Sequence, residues 1–125
     1  MLDKKMFEVE YEYDGDADAI FIKKKNDYKY KISVELNSNI IMDFDKNNNP
    51  VSIEILNASN VLNIDKLSLK RIINLNMTIS VNKEIICVDA KIIVKVRNRK
   101  TELSLHPSTT NDMGMPEFVV ELAMA

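Results

Sequence analysis

At 125 residues the chain has the length of one ordinary domain, enough to bury a continuous core without covalent staples. Its single cysteine, Cys87, rules out an internal disulfide framework, and a formal net charge of −2 lacks the cationic excess that most nucleic-acid binders carry. No apolar run approaches membrane-spanning length, and no charged-then-apolar-then-small leader opens the chain, so a cytoplasmic protein is expected. The charge is unevenly spread. Residues 1–60 hold 8 Lys plus Arg against 12 Asp plus Glu, net −4, and residues 61–125 hold 9 against 7, net +2. This asymmetry fits head-to-tail self-association or a basic face for a partner, but a spread of solvated charge is the plainer and stronger reading.

Phe7, Val9, Tyr11 and Tyr13 alternate with Glu8, Glu10, Glu12 and Asp14, the two-residue period of a strand with one apolar and one acidic face. Gly15, flanked by aspartates, is the residue expected to take a positive φ in the turn that follows. A second strand is predicted at about 18–24, and Tyr28 to Leu36 alternate as a third. Ile40 to Phe44 and Val51 to Ile55 form a hairpin around the turn at Lys46 to Asn49, with Asp43 and Asp45 opposite Phe44. The alternation fails between Asn57 and Arg71. Asp65 as a helix N-cap places Ile64 and Leu69 at hydrophobic-staple spacing, although Leu67, Leu69, Ile73 and Leu75 also fit a strand. Strand patterns resume through Met77 to Val81, Ile86 to Val96, Leu103 and Leu105. A polar stretch, Pro107 to Pro116, precedes a last apolar strand at Phe118 to Met124.

Tyr13-Asp14-Gly15-Asp16-Ala17-Asp18 with the strand after it, the hairpin from Ile40, and Ile53-Glu54-Ile55-Leu56-Asn57-Ala58-Ser59 resemble a family of small bacterial and archaeal proteins. That family is catalogued as domain of unknown function 2283. The resemblance covers about half of the chain, residues 7–60, and implies a meander sheet with an adjoining short helix. It implies no reaction and no catalytic residue. The hairpin turn has Asn47-Asn48 where the family often has Asp-Gly. The expected fold class is α+β, mostly β: antiparallel meander sheets with one short helix near the middle. Residues 1–125 are read as a single domain, with 61–125 a helix plus β-hairpin extension packed on the family-like module.

Several groups of residues are candidates for chemistry. Asp43, Asp45, Asn47 and Glu54 match a calcium-loop spacing, so oxygen ligands for calcium or magnesium are one reading. A turn flanked by strands selects the same residues, and that is the stronger reading. Asp14, Asp16 and Asp18 form a second oxygen cluster that turn and strand-start roles also explain. Cys87 and His106 would have to approach across a hairpin to make a nucleophilic pair. Lys91, Lys95, Arg97 and Arg99 alternate on one strand, with Lys100 in the turn. The stripe suits phosphate contacts, but no aromatic residues interleave with it, and edge-protecting lysines explain it as well, so nucleic acid is an unlikely partner. Ile41, Leu56, Ile85, Cys87 and Ile93 intrude on otherwise polar faces, which points to covered patches.

The expectation from sequence is a non-enzymatic β-rich module without a cofactor, working through self-association, as a homodimer, or through a protein partner. The alternatives are a divalent-cation site at the 43–54 hairpin, an accessory protein that neutralises a partner, and a weak nucleic-acid binder.

Overall fold

The branched-and-charged alternation becomes strand almost throughout. The computed structural model describes residues 4–124, and among them lie ten strands and two four-residue helices. In chain order they are β1 (Lys4–Asp14), β2 (Ala19–Lys24), β3 (Tyr30–Asn37), β4 (Ile40–Asp45), β5 (Pro50–Ile55), α1 (Ala58–Val61), α2 (Lys66–Leu69), β6 (Ile72–Val81), β7 (Ile85–Val96), β8 (Arg99–Leu105), β9 (Ser108–Thr110) and β10 (Phe118–Ala123). No helix among the described residues is long and apolar enough to cross a membrane.

The strands join in the order β3-β4-β5-β2-β1-β10-β6-β7-β8, with β9 pairing β7 beyond the end of β8. This corrects the expected antiparallel meander in two ways. β2 pairs with β5 and not with β3, a Greek-key order. β10 inserts beside β1 in parallel, so the sheet is mixed. The 25–29 connection from β2 to β3 passes the end of the β4–β5 hairpin, where the Lys29 carbonyl accepts from the Lys46 amide at 2.9 Å.

β1 serves two ladders in succession. Lys4 to Glu8 pair with β10, and Val9 to Asp14 pair with β2. Where β10 stops, the Tyr11 hydroxyl fills the role of a backbone partner, accepting from the Ile72 amide at 2.9 Å and donating to the Lys70 carbonyl at 3.4 Å. Lys4 and Glu121 form an ion pair at 3.2 Å beside the parallel ladder. The Asn76 amide donates to the same Glu121 carboxylate, and Asn76 first, with Lys4, holds its pKa below the ordinary carboxylate value.

The sheet curls until β3 lies against β9 and its two halves face one another. Phe44 of β4 meets Phe118 of β10 edge-on, ring centroids 6.4 Å apart, a geometry favoured by the ring quadrupoles. One apolar core draws on both halves of the chain, from Val9, Ile20, Ile22 and Met42 to Ile79, Ile92, Val120 and Leu122.

Local chemistry explains the departures from simple alternation. A bulge between Asp43 and Phe44 lets Phe44 and Asp45 both turn inward, so Asp45 does not share the outer face with Asp43 as expected. A register shift between Ile72 and Asn74 buries Ile72 and leaves Ile73 38% exposed, reversing the expected inward placement of Ile73. The positive φ after β1 falls on Asp18, at 53°, and not on Gly15. The middle of the chain holds two short helices where one was expected. Asp65 does cap the second, accepting from the Ser68 amide at 3.0 Å, with Ile64 partly buried and Leu69 fully buried. The polar stretch after His106 contains β9 and buries Pro107 and Met115.

Phe44 is fully buried and joins the two halves of the sheet. Phe44→Ala is expected to cost about 3–5 kcal/mol. Urea unfolding followed by far-ultraviolet dichroism measures this, and a midpoint equal to that of the wild type would contradict the packing described.

Candidate functional site

The Asp43–Glu54 hairpin is built as a turn. Asp45 is 5% exposed, and its Oδ1 accepts from the amides of Asn47 at 2.9 Å and Asn49 at 3.0 Å, closing the loop at whose tip Asn48 has φ 63°. Asp43 lies on the outer face and accepts from the hydroxyls of Ser33 at 2.6 Å and Ser52 at 2.8 Å. Glu54 lies on the same face one cross-strand row away, and Asn47 is exposed at the turn. The four residues of the calcium-loop spacing are thus dispersed. No three His, Cys, Asp or Glu side chains among the described residues gather into a group able to hold a metal ion.

The aspartates after β1 form a different structure. Asp14 Oδ1 accepts from the amides of Asp16 at 3.0 Å and Ala17 at 3.2 Å, which turns the chain. Asp18 then reaches 41 residues along the chain to α1. Its Oδ1 accepts from the Tyr13 hydroxyl at 2.7 Å and the Ser59 amide at 3.1 Å, and its Oδ2 from the Ser59 hydroxyl at 2.6 Å. Its own carbonyl accepts from the Ala58 amide at 2.9 Å. Burial raises the Asp18 pKa, but the hydrogen bonds from Ser59 and Tyr13 and the charge of Lys66 outweigh it, so the carboxyl titrates below its ordinary value of 3.8. Burial first, and then the bond and charge of Asp18, push the Tyr13 phenol up to about 12.

Cys87 is half-buried on β7, opposite Ser80 of β6 and Ser108 of β9. His106 instead turns to Asp89, Nδ1 to Oδ1 3.2 Å, with both side chains exposed.

Strand register reveals a feature that linear sequence hides. Glu12 faces Phe21, Phe21 faces Glu54, Glu54 faces Ile41, and Ile41 faces Glu35. One row crossing five strands therefore reads acid, apolar, acid, apolar, acid on the outside of the β1-β2-β5-β4-β3 half. At the usual strand spacing it is about 19 Å long. Phe21 is 37% exposed, and beside it opens a depression of about 610 Å³ lined by Glu10, Tyr11, Glu12 and Lys23. None of Glu12, Glu35 and Glu54 makes a salt bridge among the described residues.

The basic strand is also regrouped. Arg97 and Asn98 are the two residues of the β7–β8 turn, with φ of 51° and 64°, the signature of a type I′ hairpin, and Arg99 and Lys100 begin β8. Arg97 and Arg99 were expected on one strand with Lys91 and Lys95, and Lys100 in the turn, but β7 ends at Val96 and the chain has already reversed at Arg97. Lys95, Arg97 and Lys100 join Arg71, Leu67 and Ile73 around an open groove of about 820 Å³ in which no carboxylate takes part. Lys91 lies elsewhere on the face, opposite Ser104 and among Asp89, Glu102 and Glu121. Arg99 is not part of the groove lining. Arg71 and Leu67, from the α2 region, were not legible as partners of this strand, since only tertiary packing brings them there.

These features define a small curled β-sheet module whose turns are locked by aspartates and whose outside carries one acidic-apolar row and one basic-apolar groove. A family profile described as "Protein of unknown function (DUF2283)" matches residues 10–59. The "Uncharacterized protein MJ0789" of Methanocaldococcus jannaschii is 33% identical over 79 residues, which cover 62% of this chain and 68% of that protein. No solved structure matches. The chain belongs to the DUF2283 family. The matched segment contains Asp14, Asp18, Ser59 and the whole acidic-apolar row, whereas the basic groove lies beyond it.

Asn tolerates the left-handed backbone of position 18, so Asp18→Asn isolates the charge. It is expected to cost about 1.5–3 kcal/mol at pH 7, as hydrogen bonds to charged groups do. Because the folded-state pKa is depressed, this contribution is complete above the unfolded value near 3.8 and fades as pH falls through the folded one. Tyr13 has the opposite sign: its raised pKa adds stability below pH 10 that is lost as pH climbs towards about 12. Denaturant unfolding across pH checks both, and a wild-type-minus-Asp18→Asn difference that does not change with acid would refute the assignment.

Proposed function

We propose that this protein is a non-enzymatic docking module that binds a basic, partly apolar protein surface through its acidic-apolar row. The observation that carries the reading is the row itself: three carboxylates without salt-bridge partners among the described residues alternate with Phe21 and Ile41 on one solvent-facing line. Exposed charge interleaved with exposed apolar surface suits a partner that presents cations and aliphatic or aromatic groups at the spacing of a sheet. The groups most suited to chemistry hold the fold together, with Asp45 capping a turn and Asp18 and Tyr13 fastening α1. An accessory protein that neutralises a basic partner by covering its surface fits the same row.

Affinity capture from the native cell, followed by reconstitution with the purified captured protein, tests the proposal. Phe21→Ala and Glu54→Lys are each expected to weaken binding by about 10-fold or more, as truncation of an interface anchor does, while Lys91→Ala leaves it within about 2-fold. A captured protein that binds all three variants equally would refute the row as the docking surface. Turnover of a phosphoester, peptide or glycoside, abolished by one point substitution, would replace a docking module with an enzyme.

A further inference from the structure

We propose that one occupant of the acidic-apolar row is the basic groove of a second copy of this chain, an inference that rests on the row being a docking surface. The two surfaces are complementary in kind. Glu12, Glu35 and Glu54 alternate with Phe21 and Ile41 on the row, and Arg71, Lys95, Arg97 and Lys100 surround Leu67 and Ile73 in the groove. None of these seven charged side chains makes a salt bridge among the described residues.

Within one copy the groove carries an internal conflict. Lys95 and Lys100 are direct cross-strand partners, and like charges in that position repel. Carboxylates set between them relieve the repulsion, and Leu67, 75% exposed, gains an apolar neighbour. The contact cannot form within a single molecule. The row lies on the outer face of one half of the sheet and the groove on the outer side of the other, while the inner faces are packed together through Phe44 and Phe118. A net charge of −2 leaves little overall repulsion between copies. The groove also lies outside the family-matched residues 10–59, so the remainder of the chain supplies the counter-surface to the row that the family segment carries.

Such an interface joins two different patches, and swapped charges therefore test it directly. Sedimentation velocity in about 0.1 M and about 1 M salt compares the wild type, the pair Glu12→Lys with Glu54→Lys, the pair Lys95→Glu with Lys100→Glu, and an equal mixture of the two variants. The wild type is expected to associate at low salt and to weaken at high salt. Each variant alone is expected to associate at least about 10-fold more weakly, and the mixture to recover, since the intact row of one variant meets the intact groove of the other and the two altered patches carry opposite charges. All four positions lie outside the core, and thermal unfolding confirms that each variant is folded. Should a reversal fail to fold, Glu12→Gln with Glu54→Gln takes its place, with weakened association expected. A monomeric wild type, variants that associate unchanged, or a mixture that stays apart would each overturn the second-copy inference. A monomeric wild type whose captured partner is still lost on Phe21→Ala overturns this inference and leaves the docking reading standing. Row variants that keep that partner overturn the docking reading itself.

Discussion

The double pairing of β1 is the constraint on which the rest of the structure depends. Its first five described residues belong to the ladder with β10, and its last six to the ladder with β2. A single strand thus joins the two halves of the sheet, whose inner faces close on one another, and this brings Phe44 against Phe118 and buries Ile22, Val120 and Leu122 in one core. The gap left where β10 ends is bridged by Tyr11, whose hydroxyl satisfies backbone groups at the α2–β6 junction. Because the halves close inward, residues of the opposite pleat such as Glu12, Glu35 and Lys95 stand outward. The acidic-apolar row and the basic groove are consequences of that closure.

The family motif does structural work with most of its polar atoms. Asp14 turns the chain, Asp18 accepts from Tyr13 and Ser59, and Asn57 takes the left-handed backbone at the start of α1 while its amide donates to Asn39. Glu54, from the same Ile-Glu-Ile-Leu signature, is a different case: its neighbours Ile53 and Ile55 are buried, and its own side chain stands on the row. The motif therefore contains both the lock of the fold and part of the surface that the fold presents, and the register separates the two.

Much of this was readable from the chain alone, because burial on one face imposes a two-residue period that β1, β4, β6 and β7 all display. Family membership was readable for a related reason, since turn aspartates and the Ile-Glu-Ile-Leu strand are local patterns. The bulges were not readable: nothing in the composition near Asp43-Phe44 or Ile72-Ile73 announces an extra residue, yet each reverses which side chain is inside. The parallel insertion of β10 and the 41-residue reach of Asp18 were hidden because they depend on tertiary closure. The row was hidden even though all its members are in plain sight, since alternation gives each strand's faces but not which residues line up across five strands.

The parallel ladder between the first strand and the last also sets an order of events during synthesis. Lys4 to Glu8 leave the ribosome well before their partners on β10, Val119 to Ala123. Strands β2 to β5 are translated before β10, so until β10 follows, the Lys4–Glu8 end of β1, which includes Phe7, is a margin that lacks its parallel partner. Contacts of such long range form slowly and expose strand edges in the meantime. The cation of Lys24 over the Phe7 ring, 4.2 Å from its centroid, and the Lys25–Glu8 ion pair at 3.2 Å come from β2 and its end, and both are available to shield that margin before the final strand arrives.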